Sequence, residues 1–125
     1  MKAWIPLTLV FALGSAGYAQ ADCTYPRAPS SIPDGNTASK DEMIAAKNDV
    51  ARYNNEMNAY LDCIKLEIQA ATPKDPSKLS KDDKAKAEEQ EKMLTQKNNA
   101  AVDELQGVVG RFNEQLKRWK AAHAS

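Results

Sequence analysis

The chain has 125 residues, of which 42% are hydrophobic and 27% are charged, and its 17 Lys and Arg balance its 17 Asp and Glu. This length is enough for one domain. The zero net charge argues against a nucleic-acid partner, which normally requires a basic surface. It also argues against simple disorder, in which low hydrophobicity is accompanied by high net charge. The class that remains is a small, alanine-rich, helix-forming protein.

The N-terminal segment 1–21 has the three parts of an export signal. Lys2 gives a positive start, residues 3–16 are predominantly apolar, and Ala19-Gln20-Ala21 is a small-x-small cleavage site. The apolar run is shorter than the roughly 20 residues that a membrane-spanning helix needs. We therefore expect cleavage after Ala21, a periplasmic or secreted location, and no integral membrane anchor in the mature chain.

Cys23 and Cys63 are the only cysteines. In an oxidising compartment an even number of cysteines favours an intramolecular disulfide. The 40-residue separation differs from the C-x-x-C spacing of redox-active pairs. A zinc site needs four ligands, and the sole histidine, His123, lies near the C-terminus. The prediction is a structural disulfide within the chain, with an intermolecular bridge as the alternative and no metal site.

Two long helices are predicted after residue 39. Ser39-Lys40-Asp41-Glu42 fits a capping box, in which the serine and the glutamate satisfy each other's backbone amides. The first helix then extends to about Ala71, because the residue before Pro73 is disfavoured in the α region. Ser80 is a weaker cap for a second helix. The predicted bounds are about 40–71 and 81–122.

The segment 22–38 is predicted to be an extended arm. It contains three prolines, and Pro33-Asp34-Gly35 is typical of a turn in which glycine has a positive φ. Extended as polyproline II, the arm can span about 50 Å. This exceeds the roughly 35 Å of helix between Ser39 and Cys63. We therefore expect the arm to run antiparallel to the first helix and to place Tyr25, Pro29 and Ile32 on the hairpin.

Apolar residues follow a heptad pattern in both helices, with alternating steps of three and four. Such a pattern predicts a face that packs on another helix. The predicted core positions are Met43, Ala46, Val50, Tyr53, Met57, Tyr60 and Ile64 in the first helix, and Val102, Leu105, Val109, Phe112, Leu116 and Trp119 in the second. The fold class is therefore all-α, an antiparallel, coiled-coil-like two-helix hairpin with a disulfide-tied arm. The alternative is a three-helix bundle with a break near Gly107 and Gly110.

Motifs for chemistry are missing from the sequence. The chain contains no Gly-rich phosphate loop, no H-E-x-x-H and no G-x-S-x-G. Glu88, Glu89 and Glu91 alternate with lysines, which is typical of an ion-paired, solvated helix face. We expect no enzymatic activity, no catalytic residue, no cofactor and no metal.

One resemblance to known proteins covers about the first half of the mature chain. The residues that carry it are Cys23-Thr24-Tyr25-Pro26, Pro29, Ile32-Pro33-Asp34-Gly35, Met43, and Tyr53-x-x-x-Met57-x-x-Tyr60-Leu61-x-Cys63. This pattern resembles a group of small uncharacterised secreted proteins of Gram-negative bacteria. The resemblance implies a periplasmic location and a bridged module of an arm and a helix.

The expected function is that of a non-catalytic helical interaction or structural module. A two-helix hairpin buries each helix on one side only, so other apolar residues need cover from elsewhere. The predicted partner surface consists of Leu66, Ile68, Ala100, Gly107, Val108 and Gly110. It would bind a second copy of the chain or an envelope protein. The alternative function is a holdase-like periplasmic chaperone, which would favour exposed methionines. Met43 and Met57 instead fall on the predicted core face.

Overall fold

The computed structural model describes residues 23–124. The predicted export signal and its cleavage site lie outside the described residues. Two helices make up most of the described residues. Helix α1 spans Lys40–Ala71 and helix α2 spans Lys81–Ala122, with a single 3₁₀ turn at Pro76–Lys78 between them. No strand is present between residues 23 and 124. The predicted all-α hairpin with an arm tied to the first helix by a disulfide is confirmed.

Serine caps set the starts of both helices. The Ser39 hydroxyl accepts from the Glu42 amide at 3.1 Å, and the Glu42 carboxylate accepts from the Ser39 amide at 2.7 Å, which completes the capping box. Ser80 caps α2 by accepting from the amide of Asp83 at 3.1 Å. At the end of α1, the Thr72 amide and hydroxyl both donate to the carbonyl of Ile68. Pro73 follows immediately, and the helix cannot continue through it.

The second helix is continuous through both of its glycines. Gly107 and Gly110 lie within the uninterrupted span Lys81–Ala122. The alternative three-helix arrangement is therefore excluded. A glycine in a helix interior costs about 1 kcal/mol relative to alanine, and packing against α1 and the arm offsets that cost in a helix of 42 residues.

The predicted core of α1 is confirmed at every position. Seven residues are buried, and all belong to the predicted heptad face: Met43, Ala46, Val50, Tyr53, Met57, Tyr60 and Ile64. Tyr53 and Met57 are fully inaccessible to solvent. This stripe alternates three- and four-residue steps, so α1 presents one continuous side to the rest of the molecule.

The predicted core of α2 is partly wrong. Its buried residues are Leu94, Ala101, Val108 and Phe112. Of the predicted core positions only Phe112 is buried; the others are partly buried, and all of them except Val102 pack against the core: Val102, Leu105, Val109, Leu116 and Trp119. The predicted column of Leu105, Phe112 and Trp119 is therefore kept, whereas the buried positions of the other column lie one residue earlier, at Ala101 and Val108. The arm contacts the same side of α2, where the Tyr25 hydroxyl donates to Glu104 and the Gly35 amide donates to Gln115.

The arm lies in the groove between the two helices. Cys23 is bonded to Cys63, with Cα atoms 5.7 Å apart, and the Tyr25 ring packs edge-on against Tyr60 at a centroid distance of 4.9 Å. At the other end of the arm, the Ala38 carbonyl accepts from Trp119 Nε1 at 3.0 Å. The arm therefore runs antiparallel to α1 as predicted, and the start of α1 lies beside the end of α2.

Gly35 lets the arm touch the backbone of α2. A Cβ at this position would overlap the Gln115 carbonyl oxygen and lie 2.8 Å from the Trp119 amide nitrogen. The Gly35 amide donates to Gln115 Oε1 at 2.8 Å. No glycine between residues 23 and 124 has a positive φ, so the predicted left-handed turn is wrong. Close approach, rather than backbone conformation, requires glycine here.

Candidate functional site

The two sides of the hairpin are the candidate sites, because the arm covers only one of them. On α1 the arm contacts the side that carries Glu56 and Cys63. On α2 it contacts the side that carries Glu104 and Arg111. We call this side the arm face. The opposite side, defined below, is the open face.

A hydroxyl and carboxylate cluster joins the arm to both helices. The Tyr25 hydroxyl donates to Glu104 Oε2 at 2.5 Å, while its ring rests on Tyr60. Burial and the adjacent Glu104 carboxylate raise the pKa of Tyr25. Tyr25 therefore remains a neutral donor at physiological pH, and the cluster anchors the arm rather than providing a base.

Tyr53 lies next to this cluster with its hydroxyl unpaired. Its side chain is completely buried, and the hydroxyl makes no hydrogen bond within the part of the chain that the structure describes. Burial, followed by the nearby Glu104 carboxylate, raises the pKa of Tyr53. A neutral buried hydroxyl with no partner costs free energy.

A surface cleft separates part of the arm from α2. It has a volume of about 430 Å³ and is lined by residues 29–32 of the arm and by Val108, Arg111, Glu114 and Gln115. Arg111 and Glu114 carry opposite charges at its rim. Among residues 23–124 no charged residue is buried.

The described residues contain one group of side chains with metal-ligand geometry, and the two disulfide-bonded cysteines belong to it. Cys23, Cys63 and Glu67 place their ligand atoms within 4.8 Å of one another. Metal binding by cysteine requires the thiolate, and both sulfurs are bonded to each other. In its oxidised state this group is a structural link between the arm and α1.

The predicted partner residues do not form one surface. Val108 is only 2% exposed and belongs to the core, so its assignment to a partner surface is wrong. Ala100 and Gly107 lie fourteen and seven residues before Glu114, so the three residues lie on the same side of α2, and Glu114 lines the cleft beside the arm. Gly110 is exposed on the outside of α2. These positions therefore lie on the arm side or the outer side of α2.

The two predicted residues of α1 also lie apart. Leu66 is 65% exposed and lies seven residues after Ala59, in the column that borders the arm. Ile68 is half-buried and lies on the opposite side. Of the predicted set, Ile68 alone belongs to the open face.

The open face is a strip of half-buried and exposed residues running along both helices. Two columns on each helix form it, at seven-residue spacing. They contain Ile44, Lys47, Ala51, Asn54, Asn58, Leu61, Lys65 and Ile68 on α1, and Thr95, Asn99, Val102, Gln106, Val109, Asn113 and Leu116 on α2. Sequence reasoning missed this surface because it assigned Val102, Val109 and Leu116 to the core.

Comparison with known proteins adds no relative to this description. No family model, no curated protein sequence and no solved structure matches the chain. None of the helices within residues 23–124 has the length and apolar character needed to cross a membrane.

Proposed function

We propose that the protein is a non-catalytic helical interaction module that works in the periplasm or outside the cell and binds its partner through the open face. The observation that carries this proposal is the unequal cover of the hairpin. On the side that the arm covers, Val108 is 2% exposed and lines the same cleft as residues 29–32 of the arm. On the other side Val102 and Val109 are only partly buried.

The disulfide supports the proposed location. Disulfides persist in oxidising compartments and are rare in the cytosol, and the Cys23–Cys63 bond closes a separation of 40 residues. The predicted export signal and the resemblance to secreted proteins favour the same location. The linked arm keeps one side of the hairpin closed, which leaves the other side for recognition.

The buried methionines argue against the chaperone alternative. Met43 is 4% exposed and Met57 is inaccessible, so neither offers a flexible apolar contact to an unfolded client. Met93 is 49% exposed, but it is alone in this respect among the described methionines. A fixed partner surface fits this arrangement better than a promiscuous one.

Site-specific photo-crosslinking in living cells tests the proposal. A photoreactive residue replaces Gln106, which is exposed at the centre of the open face on α2. The matched control replaces Leu66, which is exposed on the arm-side column of α1. We expect discrete protein adducts from position 106 and few from position 66. Equal labelling from both positions, or no adduct from position 106, would contradict the proposal.

A further inference from the structure

We propose that the occupant of the open face is a second copy of this chain, so that two hairpins pack open face to open face into a four-helix assembly. This inference rests on the proposed function and names the partner of the same surface. Three observations carry it: the charge of the face, the size of the face, and the state of the remaining surfaces.

The open face is poor in charge compared with the rest of the chain. Of its 15 residues only Lys47 and Lys65 are charged, whereas 27% of the whole sequence is charged. Its centre is formed by branched apolar side chains and by asparagine and glutamine. Charged residues are depleted at the centre of protein interfaces because desolvating them is costly. A second copy brings the same charge-poor strip, so few charges need to be dehydrated.

A self-complementary contact also suits the polar residues of the face. Asn54, Asn58, Asn99, Gln106 and Asn113 each carry both a donor and an acceptor. Two identical surfaces can therefore satisfy each other's amides across a two-fold axis, where the same patch is used on both sides. A strongly acidic partner would find only Lys47 and Lys65 to pair with, and a strongly basic partner would find no carboxylate on this face.

The face has the area that a stable dimer needs. From Ile44 to Ile68 it extends over 24 residue steps of α1, roughly 36 Å at 1.5 Å per residue. Two helices side by side, with axes 8–10 Å apart, give a width of about 20 Å. The product is on the order of 700 Å² per copy, close to the roughly 800 Å² per partner of standard interfaces.

The other long surfaces of the hairpin fit a second copy less well. The arm covers the opposite groove and contributes its own contacts there. We call the connection between the helices, residues 72–80, and the turns of α2 next to it the tip of the hairpin. Near the tip, α2 carries Glu88, Glu89, Glu91 and interleaved lysines, and such an ion-paired face remains solvated. A membrane surface is also disfavoured, because interfacial helices combine bulky apolar residues with a strongly basic face.

Sedimentation equilibrium of the exported protein tests the proposal. The protein is expressed from the full sequence, recovered after export, and checked by mass spectrometry for removal of residues 1–21 and for the disulfide. The test variant is Val102→Glu/Gln106→Glu, which adds two negative charges to the open face. The matched control is Leu66→Glu, which replaces an exposed leucine outside it. Circular dichroism reports whether each variant keeps its helices.

The proposal predicts a wild-type dimer whose dissociation constant rises at least tenfold in the test variant. In the Leu66→Glu control it changes by less than about twofold; tenfold corresponds to 1.4 kcal/mol. A wild type that stays monomeric at about 0.5 mM would overturn the proposal. So would a dimer that the Leu66→Glu variant weakens and the open-face variant does not.

Isotope-mixed lysine crosslinking keeps the proposal decidable if the double variant loses its helices. Equal amounts of light and heavy wild-type protein are crosslinked, and mixed-mass peptides report contacts between copies. We expect such peptides at Lys47 or Lys65, and mixed peptides confined to Lys74 and Lys86 at the tip would overturn the proposal.

If position 106 captures a different protein in cells while the purified chain is monomeric, the second-copy inference fails and the proposed function stands. If position 106 captures nothing, the proposed function fails as well.

Discussion

The arm face and the open face of the hairpin differ in what covers them. Val108 and Val109 are neighbours on α2, yet Val108 is 2% exposed and Val109 is half-buried. Val108 lies on the side of α2 that the arm covers and lines the cleft between the arm and that helix, whereas Val109 points about 100° away from it. The arm therefore covers one side of the hairpin and leaves the opposite side free to bind.

Removing the disulfide should have the largest effect on this asymmetry. In the Cys23→Ser/Cys63→Ser variant the arm is no longer tied to α1. A loop of about 40 residues then loses its constraint in the unfolded state, and we expect the free energy of unfolding to fall by roughly 3–4 kcal/mol. Urea titration without reductant measures the change.

Reduced wild-type protein is the control for that experiment. It should unfold at the same urea concentration as the double serine variant, because both lack the same bond. A loss below about 1 kcal/mol in the double variant would show that the disulfide contributes little to holding the arm.

Gly35→Ala should separate the arm from α2 at a single contact. The new methyl group would overlap the Gln115 carbonyl of α2, so either the arm or the helix must shift. We expect a loss of about 1–3 kcal/mol, as for other overpacked sites. Thermal unfolding followed by circular dichroism measures it, and Trp119 fluorescence reports the displaced arm.

Gly110→Ala is the matched glycine control. Nothing lies within 4 Å of a Cβ at that position, and alanine favours the helix by about 1 kcal/mol over glycine. The two substitutions add the same methyl group and should change stability in opposite directions. If both destabilise the protein, the close approach at Gly35 is not the cause.

The capping box should contribute a pH-dependent part of the stability. Hydrogen bonds from the Ser39 backbone and hydroxyl lower the pKa of Glu42 from its usual value of 4.5. A lowered pKa in the folded state means that the contribution is complete above about pH 4.5 and is lost as the pH falls through the folded value. Wild type and Glu42→Ala should therefore differ most at neutral pH and converge in acid.

Ser39→Ala removes the same cap and should cost about 1 kcal/mol at neutral pH. Ser80→Ala is its counterpart at the tip, where residues 81–86 of α2 are all exposed. Because few tertiary contacts depend on that turn, we expect Ser80→Ala to change local amide exchange more than global unfolding. If Ser39→Ala and Ser80→Ala lowered the free energy of global unfolding equally, the start of α2 at the tip would be as firmly packed as the start of α1.

The smallest expected effects come from the two tyrosines at the arm anchor. Tyr53→Phe removes a buried hydroxyl that has no partner, so stability should stay the same or rise by up to about 1 kcal/mol. Tyr25→Phe removes the hydrogen bond to Glu104 and should lower stability by about 0.5–1 kcal/mol. Chemical denaturation measures the free energy of unfolding of both variants. A larger loss of stability in Tyr53→Phe than in Tyr25→Phe would contradict the account.

The core of α1 could be predicted from sequence because this helix packs with one continuous side. Its heptad positions from Met43 to Ile64 are all occupied by residues large enough to mark the stripe, apart from Ala46. The serine caps were equally visible, since capping is local chemistry within four residues. The cysteine pair followed from its number and from the predicted export signal.

The core of α2 could not be predicted in full, because its packing depends on a distant segment. The buried stripe includes Ala101, which looks weaker in a hydrophobic pattern than Val102 next to it. Gly35 was missed for a related reason: its contact is with a residue 80 positions away, and the local sequence indicates only a turn.

Methyl NMR with a soluble paramagnetic agent tests the central claim most directly, because it compares the two faces in one sample. In dilute protein we expect strong relaxation of the Val102 and Val109 methyl groups and little relaxation of Val108. At high concentration Val102 and Val109 should become protected while Val108 does not change. If Val102 and Val109 were as protected as Val108 in the dilute sample, or equally relaxed at every concentration, the account of an open face that binds a second copy would be contradicted.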